Sequence, residues 1–146
     1  FKKLIKKKEF LEYAKVFDNY YGSSKEIVIN NLKNGKNVIF DIDWQGTRQI
    51  KNKKLNYKLL TIYILPPSKK ELMKRLIKRE NKNMKTVKKR MKEFNKDLMR
   101  WIEYDYVVIN DDLKECYKKI MFAIKNIDNL SFDRLFIKKH IKKLLN

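Results

Sequence analysis

Val38-Ile39-Phe40-Asp41-Ile42-Asp43-Trp44-Gln45-Gly46 is a short apolar run that closes on two carboxylates and a glycine. Val, Ile and Phe in a run of this length predict a strand buried on both faces, as in a parallel sheet covered by helices. Ligands of open α/β sheets sit at the carboxyl ends of the strands. Asp41 and Asp43, two residues apart, are expected to face the same way there. An apolar strand ending in Asp is one way that phosphoryl-transfer proteins place a carboxylate near Mg²⁺; an Asp there serves equally well to cap the following turn.

Outward from this run the same alternation continues. Trp44, Thr47 and Ile50 recur at helical spacing and predict a helix over 46–54. Residues 59–65 read as a second buried strand, stopped by Pro66-Pro67, and Tyr106 to Ile109 as a third, ending in Asn110-Asp111-Asp112. Between them a basic helical region over 68–104 is expected to break near Glu80-Asn81-Lys82-Asn83. Beyond the break Met84, Val87, Met91, Phe94 and Leu98 form one apolar stripe. Ser23 with Glu26, Ser68 with Glu71 and Asp112 with Glu115 have the spacing of capping boxes, and Gly35 sits where a helix C-cap glycine belongs. Leu113, Cys116, Tyr117, Ile120, Ile124 and Ile127 mark one face of a further helix, which makes Cys116 a core residue rather than a nucleophile. Leu4, Ile5, Phe10, Leu11, Ala14 and Phe17 predict a helix over 1–17, with Glu12 as a helix acid, and residues 18–24 read as a turn. The tail over 131–146 reads as a basic amphipathic surface helix carrying the one histidine, His140. Strands alternating with helices give an α/β fold with a parallel sheet and right-handed crossovers.

The chain has 146 residues, enough for one domain with a real core. Lys+Arg 37 against Asp+Glu 17 gives a net charge of +20, a balance often associated with nucleic acid or anionic membranes. Here the lysines are spread over almost every expected helix and accompany many Asn and Ile, as an AT-rich genome would impose. One cysteine and the lack of a signal-type segment fit a reducing, cytoplasmic setting. No apolar run is long enough to cross a bilayer. A single histidine cannot build a Ser/His/Asp arrangement or a His/Cys metal cluster. Arg75, Arg79 and Arg90 stand where lysine is the local habit, which suits a bidentate anion contact or a random surface choice. Tyr21, beside Gly22, is placed to present its hydroxyl to something polar.

Phe10-Leu11-Glu12-Tyr13-Ala14, Asn19-Tyr20-Tyr21-Gly22-Ser23-Ser24, Asp41-Ile42-Asp43-Trp44-Gln45-Gly46, Leu65-Pro66-Pro67-Ser68, Lys89-Arg90-Met91 and Ile109-Asn110-Asp111-Asp112, in this order and spacing, resemble guanylate kinase of the bacterial type over residues 1 to about 127. The resemblance implies a P-loop nucleoside monophosphate kinase fold, incomplete at the N-terminus, and transfer of a phosphoryl group from ATP to GMP with Mg²⁺. By the family pattern Glu12 and Ser23 recognise the guanine, Tyr21 the GMP phosphate, and Asp43 lies near the base. Asp41 belongs nearer the phosphates and Mg²⁺, with no direct protein ligand to the metal implied. Arg75, Arg79 and Arg90 match lid and adjacent arginines that neutralise the transferring group, and Asn110 matches an asparagine on the ATP side. The implied division is about 1–35 for GMP binding, 36–67 and 105–130 for the core, 68–104 for the lid and adjacent helix, and 131–146 for the basic C-terminal helix.

Departures accompany the match. Gly22, Gly35 and Gly46 are the only glycines, and no pair has the spacing of the phosphate-binding loop G-x-x-x-x-G-K-[ST]. Lys78 and Glu80 replace the lid glycines around Arg79, and Asp97 stands where a glutamate is common. The expectation is the carboxyl-terminal portion of a guanylate kinase, binding GMP but inactive alone. The alternatives are a catalytically dead guanylate-kinase-like module that holds protein partners, and a basic nucleic-acid binder. The expected partners are GMP and ATP, without a specific nucleic acid or membrane; homo-oligomerisation stays open.

Overall fold

The computed structural model describes residues 1–17 and 19–146, and Asp18, part of the expected turn, lies outside the described residues. The chain divides into two compact units, Phe1–Leu59 and Leu60–Asn146.

In the first unit α1 (Lys2–Lys6) leads into β1 (Phe10–Val16), which pairs antiparallel with β2 (Asn19–Ser24). The helix expected over 1–17 is therefore largely a strand, and the expected turn is its partner. Spacings of three and four also occur by accident in a bulged strand, and the ladder here shifts register between Phe10 and Glu12. Phe10 stacks on Phe1 at 4.5 Å between ring centres and lies across Gly22, where an added Cβ would fall 2.9 Å from its ring. Helix α2 (Lys25–Lys33) is capped by Ser24 rather than Ser23, and Gly35 follows it at φ +71°, the left-handed conformation that suits glycine at a helix end.

The organising run before α3 (Trp44–Asn52) forms no strand and pairs with none among the described residues. It is also not buried on both faces. Val38, Phe40 and Ile42 pack against Leu11, Val28 and Ile50, whereas Ile39 is 88% exposed. One face meets a core and the other is open, so an apolar run did not here mean two-sided burial.

In the second unit β3 (Ile62–Leu65), shorter than the strand expected over 59–65, pairs in parallel with β4 (Tyr106–Ile109), as the crossover pattern requires. The register is fixed at its entrance by Asp105, whose Oδ2 accepts from Thr61 N at 2.8 Å and from Thr61 Oγ1 at 2.6 Å. Between the strands lie α4 (Lys69–Arg79), capped by Ser68, and α5 (Met84–Asp97), capped by Asn83; the expected break falls between them. Helix α6 (Leu113–Lys125) is capped by Asp112 and buries Cys116, where burial pushes the thiol pKa up against a lowering contribution from Lys119.

Helix α7 (Arg134–Leu145) corrects the expected surface tail. Ile137, Ile141 and Leu144 join Leu65, Leu98, Trp101 and Val107 in the core of this unit. His140 Nε2 donates to the Pro66 carbonyl at 2.9 Å, and Lys69 Nζ reaches the Leu145 carbonyl at 2.8 Å. Lysines on the outer side had made a docked helix look like a solvated one.

Two expectations follow. Ile141→Ala should cost about 2–5 kcal/mol in urea denaturation, the range for a buried Ile, against less than about 0.5 kcal/mol for the exposed Lys138→Ala. Tyr63 donates its hydroxyl to the Asp97 carbonyl at 3.0 Å; burial, then Asp97 and Tyr104, push its pKa far above the ordinary value of 10.0. The folded chain thus keeps a proton that the unfolded chain releases, and this contribution, intact below about pH 10, is lost as pH rises beyond it. Tyr63→Phe should flatten the alkaline fall in stability measured by urea titration above pH 10.

Candidate functional site

Among the described residues Glu12 is the most buried acid of the first unit, 2% exposed, in the middle of β1. A carboxylate in that position is costly unless something receives it. It stands opposite Ser23 in the hairpin register, and Ser23 Oγ donates to its Oε1 at 2.6 Å, the short length of a charge-assisted bond. Its Oε2 takes no hydrogen bond among the described residues and lies against Gly46, where an added Cβ would fall 2.5 Å away. Gly46 belongs to the first turn of α3, and the amide end of a helix favours a nearby negative charge.

Asp43 shapes that turn. Its Oδ1 accepts from the amides of Gln45 at 2.9 Å and Gly46 at 3.1 Å, and its Oδ2 from Gln45 Nε2 at 2.8 Å. The capping role is thus realised at Asp43, and the cap holds Gly46 beneath Glu12. Asp41 is exposed on the run that leads into α3. Tyr21 is 56% exposed and pairs with Ala14, two residues along each strand from the Ser23–Glu12 pair, so the hairpin presents Tyr21, Ser23 and Glu12 on one face. The first unit therefore brings together Glu12, Ser23 and the Asp43 cap, with Tyr21 on the same sheet face.

The residues expected on the ATP side lie in the second unit. Arg75 on α4 pairs through Nε with Glu71 at 2.8 Å and donates from Nη1 to the Asn110 carbonyl at 3.0 Å. It also lines an open groove of about 740 Å³ with Lys74, Lys78 and Lys82. Arg79 is exposed in the last turn of α4. Arg90, half-buried on α5, forms an ion pair with Glu80 at 2.8 Å across the break between the helices. Arg75 and Asn110 are thus joined, and Arg79 and Arg90 sit at the two sides of one helix junction.

Sequence reading passed over Gln49. Its side-chain amide grips the backbone of Tyr13 from α3, accepting from N at 3.1 Å and donating to O at 2.6 Å. Nothing local marks such a contact across 36 positions.

Residues 1–127 match the family model described as guanylate kinase. The chain belongs to the guanylate kinase family. It is 48% identical over 127 residues to the guanylate kinase of Buchnera aphidicola subsp. Baizongia pistaciae, covering 84% of this chain and 60% of that protein. To the guanylate kinase of Rickettsia prowazekii it is 50% identical over 120 residues, covering 82% of this chain and 60% of that protein. It thus spans about 60% of the length of these curated relatives. A crystal structure of guanylate kinase from Anaplasma phagocytophilum superposes with a TM-score of 0.66 at 24% identity, covering 96% of this chain and 67% of that one. The fold is accordingly α/β of the P-loop nucleoside monophosphate kinase type. Guanylate kinase membership attaches to the whole span of the hairpin, the capped helix and the arginine-bearing helices.

Gly46→Ala places a methyl against the far end of Glu12, which moves more readily than backbone. The mutant is expected to lose about 1 kcal/mol relative to the gain that alanine brings to a helix. In a Glu12→Ala background that loss should vanish, leaving a coupling of about 1 kcal/mol in a double-mutant cycle by urea denaturation.

Proposed function

We propose that this chain supplies the GMP-recognising and lid parts of a guanylate kinase, an ATP:GMP phosphotransferase. The observation that carries the reading is the buried Glu12 carboxylate, with Ser23 on one oxygen and no hydrogen bond among the described residues on the other. Guanine offers N1–H and the 2-amino group side by side, and a carboxylate accepts from both. Adenine offers no such pair, so it would leave the buried acceptor unmatched, at a cost of about 1–3 kcal/mol or more for a charged group. Tyr21, on the same hairpin face, is the group to receive the phosphate of the bound monophosphate, and Asp43 holds the turn beneath the base.

The lid arginines have the complementary task. Arg75, Arg79 and Arg90 offer planar forks for phosphate oxygens, and Asn110 fixes the position of Arg75. Positioning and charge neutralisation supply most of the acceleration in phosphoryl transfer. Among the described residues no three His, Cys, Asp or Glu gather to hold a metal. On this reading Mg²⁺ would enter on the ATP phosphates and keep its waters, with exposed Asp41 available to those waters. When bound, the ion neutralises phosphate charge.

The three glycines of the chain form no phosphate-binding loop, so turnover by these residues alone is expected to be negligible while GMP binding persists. No helix among the described residues is long and apolar enough to cross a membrane; with the bacterial enzymes as relatives, a cytoplasmic setting is part of the proposal.

Calorimetric titration should show heat with GMP and much less with AMP. Glu12→Gln, which turns one acceptor oxygen into a donor, should weaken GMP binding by about a hundredfold, the equivalent of about 2.7 kcal/mol. Equal heats from the two proteins would refute the assignment.

A further inference from the structure

Glu12 is held from three directions. Ser23 holds it from β2, Gly46 backs its Oε2 from α3, and the third hold reaches it through the backbone. In the hairpin register Tyr13 faces Gly22, and its own N–H and C=O are both bound to the Gln49 amide, at 3.1 and 2.6 Å. One side-chain amide thus takes the place of one residue of a third strand on the outer edge of β1. The same Gln49 Nε2 also lies 3.3 Å from the Gln45 carbonyl one turn earlier, which steadies the side chain along its helix.

Gln49 and Gly46 are three residues apart on α3, so they lie on neighbouring turns of one helix face. The grip of Gln49 on residue 13 therefore sets how closely Gly46 approaches residue 12. Gly46 leaves no slack, since a single added carbon would collide with the carboxylate. Packing also joins β1 to α3 through Leu11 and Ile50, but apolar contact is non-directional and leaves small sliding motions open. Two hydrogen bonds to one residue fix both distance and register.

We propose that Gln49 is a positioning residue for purine selection: by clamping the Tyr13 backbone to α3 it holds the Glu12 carboxylate where it meets both N1–H and the 2-amino group of a guanine. The proposal rests on the GMP reading of Glu12. Loss of the clamp lets the carboxylate tilt about its surviving bond to Ser23. The contact forfeited is the one to the 2-amino group, so affinity for guanosine monophosphate falls more than affinity for inosine monophosphate, which lacks that group.

The test is titration calorimetry with both monophosphates on the wild-type chain, Glu12→Gln, Gln49→Ala and Gln49→Met, each checked for folding by circular dichroism melting. Methionine matches glutamine in length and keeps the packing without the amide. Both Gln49 variants are expected to bind GMP about tenfold and IMP about twofold more weakly, lowering the GMP-over-IMP preference about fivefold. If alanine at this position prevents folding, the methionine variant reads the same ratio. A preference unchanged in Gln49→Met, or an equal loss for both ligands, overturns the positioning role while the Glu12 reading stands. A wild-type chain that takes up no GMP overturns both.

Discussion

A carboxylate buried between a strand and the first turn of a helix is the constraint around which the first unit is arranged. Glu12 has little water to solvate it, so its neighbours must do so. Ser23 gives it a hydroxyl. The Asp43 cap keeps the first turn of α3 tight through the amides of Gln45 and Gly46, and a glycine at 46 lets that turn come close. The capping aspartate, the glycine three residues on and the serine opposite the glutamate are thus parts of one electrostatic arrangement spread over β1, β2 and α3.

Much of this was legible in the residues, but unevenly. The caps at Ser68 and Asp112 and the break after Glu80 are local chemistry and stand as expected. Strand β4 was readable to the residue because its apolar run is buried and paired. The first seventeen residues were not. Their apolar spacing suits a helix, and what makes Phe10–Val16 a strand is its pairing with Asn19–Ser24 and its edge contact with Gln49, neither visible from within the segment. The motif resemblance put Glu12 and Ser23 at one site, and the structure bonds them to each other, even though the local reading had put the glutamate on a helix and the serine at a cap. Family pattern carried information about tertiary contact that periodicity could not.

The basic composition misled in one place and informed in another. On α7, lysines facing outward concealed the row of Ile137, Ile141 and Leu144 that docks against Leu65 and Trp101, because a helix with one buried stripe and many lysines matches a surface helix in its polar pattern. The arginines behave differently. Arg75 and Arg90 each meet a glutamate at 2.8 Å, and Arg75 reaches a carbonyl at the end of β4 as well. A fork that contacts two acceptors on different elements does what a lysine ammonium, a single point charge, does less well.

The two ion pairs differ in how firmly they hold. The Arg75–Glu71 pair is partly exposed, with side chains 40% and 33% accessible, so water and salt screen it and it contributes little to stability, about 0–1 kcal/mol. The Arg90–Glu80 pair is more enclosed, at 25% and 16%, and joins the end of α4 to α5, where releasing either partner costs more. Exposure thus separates the two: the looser pair is readily broken, and the tighter one ties the end of α4 to α5.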